Sequence, residues 1–80
     1  MIDIVAKTQW DWLVPKIIFI AARRDRESLE EFLDYTARES VSNCARRAHN
    51  LITGNSNLPL ATLVERIKEM AATDGWEKES

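Results

Sequence analysis

A chain of 80 residues is long enough for a single domain only, and a domain of that size buries little more than about 60% of its unfolded surface. With 45% hydrophobic and 30% charged residues, the composition is that of a folded globular protein and excludes a disordered chain. The net charge of −2 excludes a strongly basic nucleic-acid coat protein, and a single cysteine, Cys44, excludes an internal disulfide and a cysteine-based zinc knuckle. We expect a cytoplasmic protein with no membrane-spanning segment and no signal peptide.

The first predicted element begins at Pro15. Proline is favoured in the first turn of a helix because its missing N–H costs nothing there, which predicts a short helix from Pro15 to about Arg24. The run over residues 17–21 is apolar on all sides and contains three β-branched isoleucines, so a strand is an alternative. The residues before Thr8 fit either a short helix or a strand.

A long amphipathic helix is predicted from Ser28 to Ile52. Ser28 and Glu31 have the spacing of a capping box, and Gly54 is placed to adopt the left-handed conformation that often ends a helix. Asp34 and Arg38 are spaced for an ion pair on the outer side. The apolar stripe of this helix recurs in steps of three and four: Leu29, Phe32, Leu33, Ala37, Val41, Cys44, Ala48 and Leu51.

Such a helix would be longer than its own domain. Its 25 residues or so would extend roughly 36 Å, whereas a globule of this size is about 30 Å across. Either the helix breaks at Ser40 or Ser42, each of which can cap a new helix, or a second chain covers the overhang. In the second case the small residues Ala37, Cys44, Ala45 and Ala48 would form the dimer seam, or a docking seam for another helix.

The last predicted helix opens at Pro59, after a polar turn over residues 55–57. Asp74 and Gly75 end it, and residues 76–80 are expected to form a frayed tail. Its apolar face consists of Leu60, Leu63, Val64, Ile67 and Met70. The fold class predicted for residues 1–80 is therefore a single all-α domain, a bundle of three to four helices around one long central helix, with dimerisation as an open alternative.

The sequence contains no motif that carries chemistry. The acidic residues near Ser28 are typical of a solvated helix start, and His49 is the sole histidine. Two glycines, Gly54 and Gly75, are too few for a phosphate-binding loop. We therefore predict a non-enzymatic protein with no catalytic residues, metal site or cofactor.

Tryptophan and arginine supply the candidate binding residues, because these are the residue types most often found as hot spots of protein interfaces. No acidic residue occurs from Ser40 through Val64, which predicts a local positive surface. Trp10 and Trp12 are two residues apart and cannot share one side of a helix, so at least one is expected to be partly exposed. The candidate partner-binding residues are Trp10, Trp12, Arg23, Arg24, Arg46, Arg47 and Trp76.

These observations favour a small protein–protein interaction module, a regulator or inhibitor of the kind that phages and plasmids encode, which binds a larger protein and forms a homodimer. One alternative is nucleic-acid binding by a helix-turn-helix-like arrangement with Arg46 and Arg47 on the phosphates. Another is sequestration of a small anionic ligand such as a nucleotide, with an arginine on the phosphate and a tryptophan stacked on the base.

Overall fold

The computed structural model describes residues 4–76, and all regular secondary structure in that range is helical. The helices in chain order are α1 (Ile4–Ala22), α2 (Arg26–Glu39), α3 (Asn43–Gly54) and α4 (Leu60–Thr73). The predicted all-α bundle is confirmed. None of these helices has both the length and the apolar character needed to cross a membrane.

Helix α1 differs most from the prediction. It begins at Ile4 and contains Pro15 in its interior, so the helix start expected at Pro15 is wrong, as is the strand alternative over residues 17–21. Proline removes one intrahelical hydrogen bond, here the bond to the carbonyl of Asp11, and Pro15 lies on the exposed side of the helix. The long helices of a bundle tolerate such a loss where the freed carbonyl faces water.

The long central helix is broken, as the first of the two alternatives predicts. Val41 adopts a left-handed conformation, with φ of 49°, between the end of α2 and the start of α3. The Ser42 hydroxyl then accepts a hydrogen bond from the backbone N–H of Ala45 at 3.2 Å and caps α3. The two resulting helices, of 14 and 12 residues, are each about 20 Å long and fit within the molecular extents of 33 × 31 × 20 Å.

Both caps predicted for the long helix are wrong. Helix α2 is capped by Asp25, whose carboxylate accepts from the backbone N–H of Ser28 at 3.1 Å and from its hydroxyl at 2.6 Å. Gly54 is the last residue of α3 and has no positive φ; Asn55 is the C-cap, and its side-chain amide donates to the carbonyl of Leu51 at 2.8 Å. The Asp34–Arg38 ion pair is confirmed at 3.0 Å.

Helix α4 matches its prediction closely. Pro59 occupies the N-cap position, and Gly75 ends the helix with φ of 101°. Trp76 follows at once: its backbone N–H donates to the carbonyl of Ala71 at 2.9 Å, and its side chain packs against the core. Trp76 is therefore held in place and is not part of a frayed tail, whereas the tail predicted over residues 77–80 lies outside the described residues.

The core forms where α1 packs against the other three helices. The small residues proposed as a dimer seam are buried inside the chain, so that seam is already occupied by the protein's own helices. The largest fully buried side chains are Trp10, Leu13, Ile17, Leu29, Leu33, Ile52, Leu63 and Ile67.

Candidate interaction surface

Exposed apolar residues lie along the outer face of α1, which we define by Val5, Trp12 and Phe19. These residues are spaced by seven, so they lie in one row along the helix, opposite the buried Trp10 and Ile17. Their side chains are 65%, 42% and 63% exposed. Helix α1 is thus apolar on two opposite sides, one of which packs in the core while the other faces solvent.

A row of cationic residues borders this outer face along one edge. Lys16 lies one turn after Trp12 and Arg23 one turn after Phe19, and the Arg23 guanidinium is 5.9 Å from the centre of the Phe19 ring. At the other end, Arg46 of α3 lines the same groove as Val5. We call Lys16, Arg23 and Arg46 the cationic row; all three side chains are exposed.

The groove beside Val5 lies between the first turns of α1 and α3 and has a volume of about 390 Å³. Its shape depends on Gln9, whose side-chain oxygen accepts from the Ser42 hydroxyl at 2.9 Å and from the backbone N–H of Cys44 at 3.4 Å. Polar side chains of Arg46 and Asn50 line the opposite wall. Within the described part of the chain no aromatic residue lines this groove, so the arrangement of a tryptophan stacked on a nucleotide base does not fit it.

Trp10 and Arg47, both predicted to bind a partner, serve the fold. Trp10 is fully buried, and its indole N–H donates to the Asp74 carboxylate at 2.7 Å. The same carboxylate oxygen pairs with the guanidinium of Arg47. This shared acceptor joins α1, α3 and the end of α4, and it reduces the positive charge expected from the Arg46–Arg47 pair.

Arg26 also has a structural role that sequence reasoning missed. Its guanidinium donates to the carbonyls of Ile52, Asn55 and Leu58 at 3.1, 3.0 and 2.9 Å. Carbonyls at a helix C-terminus lack intrahelical donors, and a guanidinium can satisfy several at once because its donors are arranged as a planar fork. Arg26 therefore ties the start of α2 to the turn between α3 and α4.

The remaining candidate residues lie apart from one another. Arg24 is exposed in the turn between α1 and α2, where its φ is 57°, and Trp76 packs half-buried beside α4. The structure thus brings Trp12, Arg23 and Arg46 to the outer face of α1 and its edge. Sequence reasoning overlooked Val5 and Phe19, although their spacing of seven with Trp12 was a visible signal.

The reactive and metal-binding side chains of residues 4–76 are the remaining candidates for a site. Cys44 is buried, and its thiol lies 3.7 Å from the carbonyl oxygen of Ala6. Among the described residues, no group of three or more histidine, cysteine or acidic residues is placed to hold a metal ion. Asp25 has a lowered pKa, because the Ser28 hydroxyl and then the Ser28 backbone N–H donate to its carboxylate. That hydrogen bonding belongs to the helix cap.

Comparison with known protein families, with curated proteins and with solved structures gives no match to this chain.

Proposed function

We propose that this chain is a small, non-enzymatic protein–protein interaction module that binds a larger protein through the outer face of α1 and so regulates or inhibits it. The observation that carries the proposal is the exposed row of Val5, Trp12 and Phe19 on a helix whose opposite side already fills the core.

None of these three positions belongs to the buried core. Polar side chains there would leave the core contacts of Trp10 and Ile17 intact, since those residues are on the opposite side of α1. The two exposed aromatic rings together leave on the order of 200 Å² of apolar surface in water. Covering that area is worth at most about 5 kcal/mol, which is enough to anchor a complex.

The size of the patch also fits a binding role. Patches of a few hundred Å² on a monomer are often functional, and tryptophan is enriched among the residues that dominate binding energy. A standard interface buries about 800 Å² on each partner, so the outer face would form its apolar centre, with the cationic row and the groove beside Val5 at the rim.

The test is capture of a partner from a lysate of the source cells, with nuclease treatment, by the wild type and by two charge-introducing variants. Phe19→Glu places a carboxylate on the outer face, whereas the matched control Tyr35→Glu changes an aromatic residue of α2 that is equally exposed, at 61%. We expect one stoichiometric protein that the wild type and Tyr35→Glu retain and Phe19→Glu loses. Equal retention by all three chains would place the binding surface elsewhere.

A further inference from the structure

We infer that the partner binds the outer face of α1 with an amphipathic helix that has acidic residues along one edge of its apolar stripe. This inference rests on the proposed function and adds the chemistry of the partner, which the cationic row determines.

Each apolar residue of the outer face has a cation beside it on the same edge. Lys16 stands four residues after Trp12, and Arg23 stands four residues after Phe19 with its guanidinium against the ring. Val5 has no basic residue four positions on, since that place is taken by Gln9, but Arg46 reaches the same groove from α3. The positive charge therefore follows the apolar row along its whole length.

Lys16 and Arg46 keep the positive charge of this edge because no acidic residue of α1 or α3 pairs with them, whereas Arg23 lies close enough to the Asp25 carboxylate for the two charges to attract each other. Asp11 is the sole acidic residue between positions 4 and 22, and it lies toward the other edge, paired with Lys7 at 3.2 Å. Helix α3 contains none. Among the described residues Lys16 and Arg46 have no ion-pair partner, in contrast to Arg47, which pairs with Asp74. Carboxylates of a partner could form ion pairs with these two cations.

The spacing of the outer face selects a helix as the occupant. Apolar residues seven positions apart match a partner helix whose own apolar residues recur every three and four positions, as in helix-in-groove recognition and coiled coils. From Val5 to Phe19 the row extends about 21 Å, so the partner helix needs about four turns. Acidic residues about two turns apart on its edge would then meet the cationic row, because Lys16 and Arg23 are seven residues apart.

Other occupants fit the charges less well. In an antiparallel pair of copies the cationic row would face its own equivalent, and in a parallel pair its three cations would face the single carboxylate of Asp11. Anionic membranes are bound by clusters of about four to eight basic residues, more than the three of this row. Nucleic-acid backbones need comparable basic patches, and the chain as a whole has a net charge of −2.

The experiment is a selection of 16-residue peptides from a random displayed library on the immobilised full-length chain, followed by affinity measurement of the best synthetic peptide at low and high salt. A Trp12→Ser/Phe19→Ser variant tests the outer face, and Lys16→Glu/Arg46→Glu reverses the row. The control is Arg66→Glu, which changes an exposed arginine of α4. Circular dichroism confirms that each variant is folded, as expected for exposed positions.

We expect selected peptides with apolar residues at helical spacing and aspartate or glutamate on one edge. Their affinity should fall at least about tenfold in Lys16→Glu/Arg46→Glu and at high salt, and should be unchanged in Arg66→Glu. If the selected peptides were apolar, showed no enrichment of acidic residues and still required Trp12 and Phe19, the inference of acidic residues on the partner would be overturned. The proposal that the outer face of α1 is the binding surface would remain.

Both proposals would be overturned if the selected peptides bound the Trp12→Ser/Phe19→Ser variant as tightly as the wild type. They would also be overturned if the selection enriched no peptide. The wild type could instead bind phosphatidylserine vesicles or duplex DNA, or dimerise. If Lys16→Glu/Arg46→Glu abolished such binding, the surface would be assigned to that occupant, and the inference of an acidic partner helix would be overturned.

Discussion

The indole N–H of Trp10 donates to the Asp74 carboxylate at 2.7 Å, which links residues 64 positions apart. Asp74 also accepts from Arg47, so a single side chain joins the first helix, the third and the end of the fourth. A buried indole N–H needs an acceptor, and this carboxylate supplies it inside the bundle.

Replacing Asp74 by alanine should lower the free energy of unfolding by about 1–3 kcal/mol, because the Trp10 N–H is then left buried without an acceptor. Arg47→Ala should cost no more than about 1 kcal/mol, since that ion pair is partly exposed. Urea denaturation followed by circular dichroism measures both changes. Equal losses in the two variants would show that Asp74 acts mainly through Arg47 and not through the indole.

Arg26→Ala should cost about 2 kcal/mol of the free energy of unfolding, because three carbonyls around the end of α3 lose a charged donor. Arg26→Lys should recover only part of the loss, as an ammonium group cannot reproduce the planar fork. Arg24→Ala, in the exposed turn nearby, is the control and should change stability by less than about 0.5 kcal/mol. An equal effect of Arg24→Ala and Arg26→Ala in urea denaturation would contradict the role of Arg26.

Much of the fold is visible in the sequence, because local signals govern it. Pro59 and Gly75 delimit α4, and the apolar spacing across residues 60–70 is regular enough to place its buried face. The break between α2 and α3 follows from a length argument together with the capping capacity of Ser42. The N-cap of α2 is Asp25 and not the predicted Ser28. The sequence alone could not decide between them, because aspartate and serine are both favourable N-cap residues.

Helix α1 and the outer face are harder to read. A helix that is apolar on both sides lacks the one-sided periodicity by which an amphipathic helix is predicted. Pro15 lies in the interior of α1, although proline in a sequence is also typical of the first turn of a helix. Trp10 is the buried one of the first two tryptophans, and its indole N–H reaches Asp74 across 64 positions, a contact that no local pattern contains. The cationic row likewise combines Lys16 of α1, Arg23 of the turn after it and Arg46 of α3, and only the tertiary structure brings Arg46 beside the other two.

Val41→Gly should raise the free energy of unfolding by about 0.5–1 kcal/mol. A left-handed conformation costs a β-branched residue about 1–2 kcal/mol, which exceeds the added chain entropy that glycine loses on folding. The valine side chain is 74% exposed, so its removal forfeits little burial. Ser40→Gly, at the end of α2 with a negative φ, is the control and should be neutral or destabilising. Destabilisation by Val41→Gly in urea denaturation would mean that the turn is not strained.

The cap of α2 should respond to pH. Hydrogen bonds from Ser28 lower the pKa of Asp25 below the ordinary aspartate value of about 3.9, so its stabilising contribution is present above that value and is lost as the pH falls through the lowered pKa. In an NMR titration, Ser28→Ala should raise the pKa of Asp25 toward the ordinary value. An unchanged pKa in Ser28→Ala would contradict this cause.

The most direct test of the central claim uses the chain labelled with 5-fluorotryptophan, whose ¹⁹F lines are assigned with single Trp→Phe variants. In the free protein the line of Trp12 should shift between H₂O and D₂O, and that of Trp10 should not, because the first side chain is 42% exposed and the second is buried. When the captured partner is added, we expect the solvent shift of Trp12 to disappear while Trp10 is unchanged. A solvent shift of Trp12 that persists in the saturated complex would contradict binding through the outer face of α1.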